Sequence, residues 1–294
     1  MTGRFGSVLT AMLTPFDDDG ALDLDVAQQV ARFLVEQGND GLVIAGTTGE
    51  SPTLTDPERL DLVKAVAEAV TVPVIAGMGT NDTPHSIGLT KQAAALGAAG
   101  VLIVGPYYNK PPQAGLEAHF RACAAATDLP VMLYDVPGRT GKRIATDVLL
   151  RCFREVTNIV AFKDATGDPA AAAGLVHELG DSIEIYSGDD SLTLPLLAVG
   201  AVGVVGVATH WCSPEMVEML DAFAKGDIVR ARQINGSMLE SFAFANTEES
   251  NFSMTAKAML RTLGLPVGEC RLPLPPTPPG VEDRCREVYA RLHA

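Results

Sequence analysis

Short apolar runs alternate along the chain with longer stretches in which apolar residues recur every three or four positions. The short runs are SVLTAMLT, GLVIAG, VPVIAG, GVLIVGP, LPVMLYDVPG, NIVAFKD, SIEIYSGDD and GAVGVVGVA; between them lie stretches such as LDVAQQVARFLVEQG, DPERLDLVKAVAEAV and SPEMVEMLDAFAKG. The first kind predicts strands and the second amphipathic helices. The strands are nearly continuous in Val, Ile, Leu and Ala, as expected for parallel strands covered on both faces. Eight strand–helix units over roughly the first 225 residues predict a (β/α)8 barrel, which needs ~250 residues. No GxGxxG follows the first strand, which argues against a doubly wound dinucleotide fold. Asp56-Pro57 and Ser213-Pro214 predict helix starts with a capping side chain before a proline.

After Gly226 the pattern becomes helix without strand: DIVRARQINGSMLESFAFA, FSMTAKAMLRTLG, a proline-rich connector LPVGECRLPLPPTPPG, and VEDRCREVYARL. This predicts a barrel domain over residues 1–225 and a C-terminal helical domain over 226–294. The connector reads as a rigid link to the last helix rather than a polyproline ligand for a partner.

With 294 residues, 47% hydrophobic and 20% charged, the chain has the composition of a globular protein with a large core. Its formal net charge of -14 argues against nucleic acid or an anionic membrane as partner. The N-terminal apolar run is short and soon meets the DDDG turn, so neither a signal peptide nor a membrane span is expected, and the composition suits a cytoplasmic protein. The five cysteines stand singly, without CxxC pairs, and read as reduced thiols.

In a (β/α)8 barrel the chemistry sits at the carboxyl ends of the strands. Those ends carry AGTTGES (45–51), GPYYNKP (105–111), YDVPGRT (134–140), FKDATG (162–167), YSGDD (186–190) and VVGVATH (204–210). Lys163 ends an apolar strand, where a desolvated amine attacks a ketone to form a Schiff base; a structural ion pair with Asp164 or another carboxylate is the alternative. Thr47 and Thr48, between two glycines, either cradle a carboxylate or bond their own turn. Arg139 after Pro137-Gly138 either receives a substrate carboxylate or forms a surface salt bridge. Tyr134, Tyr107 and Tyr108 are phenols for proton relay or for packing. Asp189 and Asp190 suit a helix cap better than a divalent ion. The histidines lack metal-binding spacing and no phosphate-binding loop occurs, so neither metal nor nucleotide cofactor is expected.

In order and spacing, GTTGESPTLTDPE, GPYYNKPPQ, YDVPGRTG, VAFKDATGD and YSGDD resemble the motifs of the dihydrodipicolinate synthase (4-hydroxy-tetrahydrodipicolinate synthase) family, over nearly the whole chain. The resemblance implies a class I aldolase on a (β/α)8 barrel with a C-terminal helical domain, usually a homotetramer built as a dimer of dimers. It implies condensation of pyruvate with L-aspartate 4-semialdehyde, on the route to lysine and diaminopimelate. Lys163 matches the imine-forming lysine and Tyr134 the proton-shuttling tyrosine. Thr48 and Tyr108 match the rest of the relay, with Tyr108 reaching a neighbouring subunit's site. Thr47 and Thr48 match the pyruvate-carboxylate contacts, Gly188 and the Val205 carbonyl the lining of the pyruvate pocket, and Arg139 the receiver of the semialdehyde carboxylate.

The chain departs from the family pattern at Gly105, where threonine is common, and at Gly206, where a hydroxyl is usual. Asp56, Arg59 and His85 stand where feedback-regulated members hold free L-lysine, and this set implies weak or no inhibition. A related enzyme acting on sugar-derived aldehydes, such as an N-acetylneuraminate lyase or a 2-keto-3-deoxy sugar acid aldolase, is the nearest alternative, but Arg139 and the paired threonines favour the synthase. A non-catalytic barrel is a more distant one, since fold alone does not fix function.

Overall fold

In a computed structural model, which describes residues 3–294, eight parallel strands pair in chain order and β8 returns to β1, closing the barrel. The strands are β1 (Val8–Ala11), β2 (Gly41–Ile44), β3 (Val74–Gly77), β4 (Gly100–Val104), β5 (Val131–Asp135), β6 (Ile159–Asp164), β7 (Glu184–Ser187) and β8 (Gly203–Gly206). The helices that follow them are α1 (Leu24–Glu36), α2 (Asp56–Ala69), α3 (Thr83–Ala93), α4 (Gln113–Ala124), the short α5 (Pro137–Thr140) with α6 (Thr146–Glu155), α7 (Pro169–Leu179), α8 (Thr193–Leu197) and α9 (Ser213–Ala224). Closure is made by the register Val8 to Val204, Leu9 to Val205 and Thr10 to Gly206.

Alternation along the strands, masked in the sequence because both faces are apolar, separates two layers. Met132 and Tyr134 of β5, Ala161 of β6, Tyr186 of β7 and Val205 of β8 pack inside the barrel, while Leu133, Phe162 and Ile185 point outward to the helices. Helix faces match that outer layer: Val26, Ala27, Val30, Ala31 and Leu34 of α1 are all buried, at the spacing of one helical stripe. Three further helices follow, α10 (Ile228–Phe244), α11 (Phe252–Thr262) and α12 (Val281–Leu292). They share a core with α9 through Met216, Met219, Ile234, Met238 and Cys285. The proline-rich connector is pinned as a rigid link, with Arg261 donating to the Gly268 carbonyl and to Thr277 Oγ1. All five cysteines are free, and four are buried.

Both helix starts differ from the expected caps. Thr55, not Asp56, caps α2, because Thr55 and Glu58 satisfy each other's backbone N–H in a capping box. Asp56 is thereby free to pair with His85 Nε2 at 2.9 Å. Cys212 occupies the cap position of α9. The Ser213 hydroxyl instead accepts from Asn39 Nδ2 at 2.7 Å and donates to the Thr209 carbonyl, joining a buried network that ties α9 to the loop before β2. Among the described residues, no helix is long and apolar enough to cross a membrane.

Candidate active site

Strand register brings the key side chains together. Tyr134 of β5, Lys163 of β6 and Tyr186 of β7 are consecutive partners across the sheet. Because Met132, Ala161 and Tyr186 face inward, period-2 alternation points Tyr134 and Lys163 inward as well. The Lys163 amine lies 4.4 Å from the centre of the Tyr134 ring. Lys163 is only 5% exposed. Asp164, the carboxylate of the ion-pair alternative, turns the other way and accepts from the Thr166 N–H at 2.9 Å. Among the described residues Lys163 forms no ion pair. Burial therefore lowers its pKa to about 8; the more distant Asp190 charge opposes the shift and Arg139 adds to it.

Two cavities, of about 230 and 330 Å³, open at this mouth and share Thr47, Tyr134, Val136, Arg139 and Lys163. Burial pushes the Tyr134 phenol up to about 12, so it remains a proton donor at neutral pH, and the neighbouring Thr47 side chain opposes that shift. Of the two hydroxyls it is Thr47, rather than the Thr48 expected of the relay, that lies beside the tyrosine. Thr48 is buried and faces the larger cavity alone. In a tight turn, neighbouring side chains leave in different directions, which spacing alone does not decide.

Arg139 sits on the single turn α5, its guanidinium 5.5 Å from the Phe252 ring centre and at the rim of both cavities. Gly188 lines the larger cavity, and a Cβ there would lie 3.1 Å from Lys163 Cγ and 3.0 Å from Ala165 Cβ. The absence of a side chain lets β7 approach the lysine stem. Val205 is not brought to either cavity wall: it is packed inside the barrel with Tyr134 and Tyr186, and Val207 reaches the larger cavity in its place. Tyr107 lines the smaller cavity, whereas Tyr108 is 90% exposed and held at φ 71.

Some contributors were not legible in the chain. Asp189 caps the turn before α8 by accepting from the Ser191 N–H, as expected of the acidic pair. Asp190 is buried: one oxygen accepts from the Val207 and Ala208 N–H groups at 3.0 and 3.1 Å, and burial pushes its carboxyl above the usual range. Gly206 makes room for it, since a Cβ there would lie 2.2 Å from Asp190 Oδ1. Phe242, Asn246 and Phe252 from the helical tail wall the larger cavity. The second position of the acidic pair hinted at Asp190; nothing in the sequence pointed to the tail residues.

Over residues 4–290 the chain matches the dihydrodipicolinate synthetase family. It is 53% identical over 272 residues to 4-hydroxy-tetrahydrodipicolinate synthase 2 of Streptomyces coelicolor, covering 92% of this chain and 89% of that one. A solved dihydrodipicolinate synthase from Cyanidioschyzon merolae with lysine bound superimposes with a TM-score of 0.95 at 43% identity, covering 98% of both chains. One from Acinetobacter baumannii, complexed with pyruvate, gives 0.93 at 34% identity and covers 99% of both.

The depressed amine sets a pH dependence. Only neutral lysine attacks a carbonyl, and the folded pKa of about 8 lies below the ordinary 10.5. Borohydride-trapped condensation of Lys163 with a small ketone is expected to accelerate up to about pH 8 and flatten above it. A rate still climbing about tenfold per pH unit at pH 10 would mean the amine is as well solvated as a surface lysine.

Proposed function

The chain belongs to the dihydrodipicolinate synthetase family, and from that premise we propose how its own residues carry out the family's reaction. It is a Schiff-base-forming class I aldolase, a 4-hydroxy-tetrahydrodipicolinate synthase of lysine and diaminopimelate biosynthesis, which condenses pyruvate with L-aspartate 4-semialdehyde. The neutral Lys163 amine adds to the pyruvate ketone and water leaves, giving an iminium. That cationic electron sink acidifies the pyruvate methyl group, whose proton passes to the Tyr134 phenolate left when the phenol protonated the departing water, and an enamine forms. The enamine carbon attacks the semialdehyde's aldehyde carbon, and the resulting alkoxide takes a proton from the Tyr134 phenol. The semialdehyde's amino group then displaces Lys163 from the imine and gives up a proton to the Tyr134 phenolate, closing the ring and freeing the enzyme.

Within this reading Thr47 relays protons with Tyr134, Thr48 and the turn's N–H groups hold the pyruvate carboxylate, and Gly188 leaves space beside the lysine. Val205 contributes from the barrel interior beneath the site. Arg139 receives the semialdehyde carboxylate at the rim. Tyr108, projecting away from its own cavities, completes the relay in a neighbouring copy. We assign residues 1–225 to the barrel and 226–294 to the helical unit that walls the site, and the assembly to a cytoplasmic homotetramer, a dimer of dimers. The observation that carries the reading is the buried, unpaired Lys163 amine over the Tyr134 ring.

Three outcomes test it. Borohydride with pyruvate is expected to fix a covalent adduct on Lys163 in both the parent and Arg139→Ala. In Arg139→Ala the KM for the semialdehyde should rise about thirtyfold, equivalent to about 2 kcal/mol for a lost charge-assisted contact. An adduct on Lys110 or Lys142, or equal losses for both substrates, would overturn the assignment. Mixing Tyr108→Phe with Lys163→Ala subunits should restore activity, because one site of each hybrid then holds both groups; hybrids confirmed by mass but inactive would place the relay within one chain.

Free L-lysine at submillimolar concentration and subsaturating pyruvate should leave the rate unchanged. Asp56 is engaged by His85, and Arg59 is a buried cation whose Nη2 donates to the Ser51 carbonyl. A second ammonium beside Arg59 would be desolvated against like charge. Saturable inhibition would show that other residues bind the amine.

A further inference from the structure

The turn bearing Thr47 and Thr48 is held from the far end of the chain. Glu50 closes the turn: its N–H donates to the Thr47 carbonyl at 3.1 Å, and it adopts φ 54, a left-handed conformation that strains any residue with a Cβ. Its side chain, 1% exposed, meets Lys257 Nζ of α11 at 2.8 Å, and the lysine side chain is 0% exposed. The second carboxylate oxygen accepts from the Arg271 N–H at 2.9 Å. Lys257 also donates to the Glu269 carbonyl at 2.8 Å, and its amine lies 4.1 Å from the Phe16 ring centre. The Arg271 guanidinium is at the same distance from that ring, and it donates to the Thr53 carbonyl at 2.9 Å and to Glu58. The strained residue is therefore gripped by α11 and by the start of the proline-rich connector.

A desolvated ion pair adds little stability over a well-packed apolar pair, because its attraction mainly offsets lost hydration. What it does supply is direction, since only one placement of Glu50 satisfies Lys257 and the Arg271 N–H together. Neither Glu50 nor Lys257 lines either cavity. We propose that the Glu50–Lys257 pair is a positioning device, through which the helical tail sets the turn so that the Thr47 hydroxyl meets Tyr134. The helical tail thus acts on the chemistry as well as walling the cavity. This inference rests on the relay role given to Thr47 above.

The test compares full-length parent, Glu50→Gln, Lys257→Met and the double variant. Active sites are counted by borohydride trapping of pyruvate, and kcat per trapped site, KM for each substrate and Tm are measured. Each single variant should lose about tenfold or more in kcat per trapped site and raise the pyruvate KM several-fold. The semialdehyde KM should stay within about twofold, because α5 and Arg139 lie outside the latch. The double variant leaves no lone buried charge, so it should melt near the parent and still be as slow as the singles. Parental kcat per trapped site and parental pyruvate KM in the double variant would overturn the proposal, whatever happens to Tm. Should Lys257→Met fail to fold, the near-isosteric Glu50→Gln and the double variant decide. Crystal structures of these variants separate this inference from the functional reading: a Thr47 hydroxyl still on Tyr134 overturns the positioning role even if no imine is ever trapped, and a withdrawn hydroxyl supports it.

Discussion

An amine held out of water with no carboxylate beside it is the constraint on which the rest of this molecule turns. Solvation by water and pairing with an anion are the two ordinary ways to keep a lysine protonated, and the barrel denies Lys163 both. Asp190 is near enough to temper the shift, but its one engaged oxygen is committed to the Val207 and Ala208 N–H groups. Arg139 adds positive charge from the rim. The outcome is a lysine neutral over part of the physiological range, the state in which an amine can add to a carbonyl.

Holding that balance needs walls on every side, and the barrel supplies them by register. Parallel closure sets Tyr134 and Tyr186 on either side of Lys163 in the sheet. Glycines at 188 and 206 let backbone and carboxylate approach where side chains would collide. The tail completes the enclosure with Phe242, Asn246 and Phe252. Among the described residues, the non-glycine positions with positive φ, Ala45, Glu50, Tyr108 and Lys110, all lie at the mouth, in the loops after β2 and β4. Such conformations persist only where surrounding contacts over-determine them.

Much of this was legible in the chain because the relevant physics is local. Apolar periodicity specified eight strand–helix units, and the rule that barrel chemistry gathers at strand ends turned a list of loops into a list of candidates. Lys163, Tyr134, Thr47 and Arg139 were identified from those ends, Gly188 from the family resemblance, and all five do meet in space. The helix caps show where local reading falls short. Thr55 outcompetes Asp56 because Glu58 returns the bond, and Ser213 is drawn away by Asn39, a residue distant in sequence.

What the sequence determined by itself was the fold, which follows from apolar periodicity, and a candidate lysine at a strand end; the chemical class came from the resemblance of several motifs taken together, in order and spacing. Tertiary structure decided which threonine lies beside the tyrosine, that Val207 reaches the cavity where Val205 does not, that Asp190 moderates the lysine, and that Lys257 grips Glu50. These are questions of side-chain direction and of contacts between segments far apart in the chain. A one-residue step along a strand reverses the face a side chain takes, and a buried charge finds its partner only after the chain has closed around it.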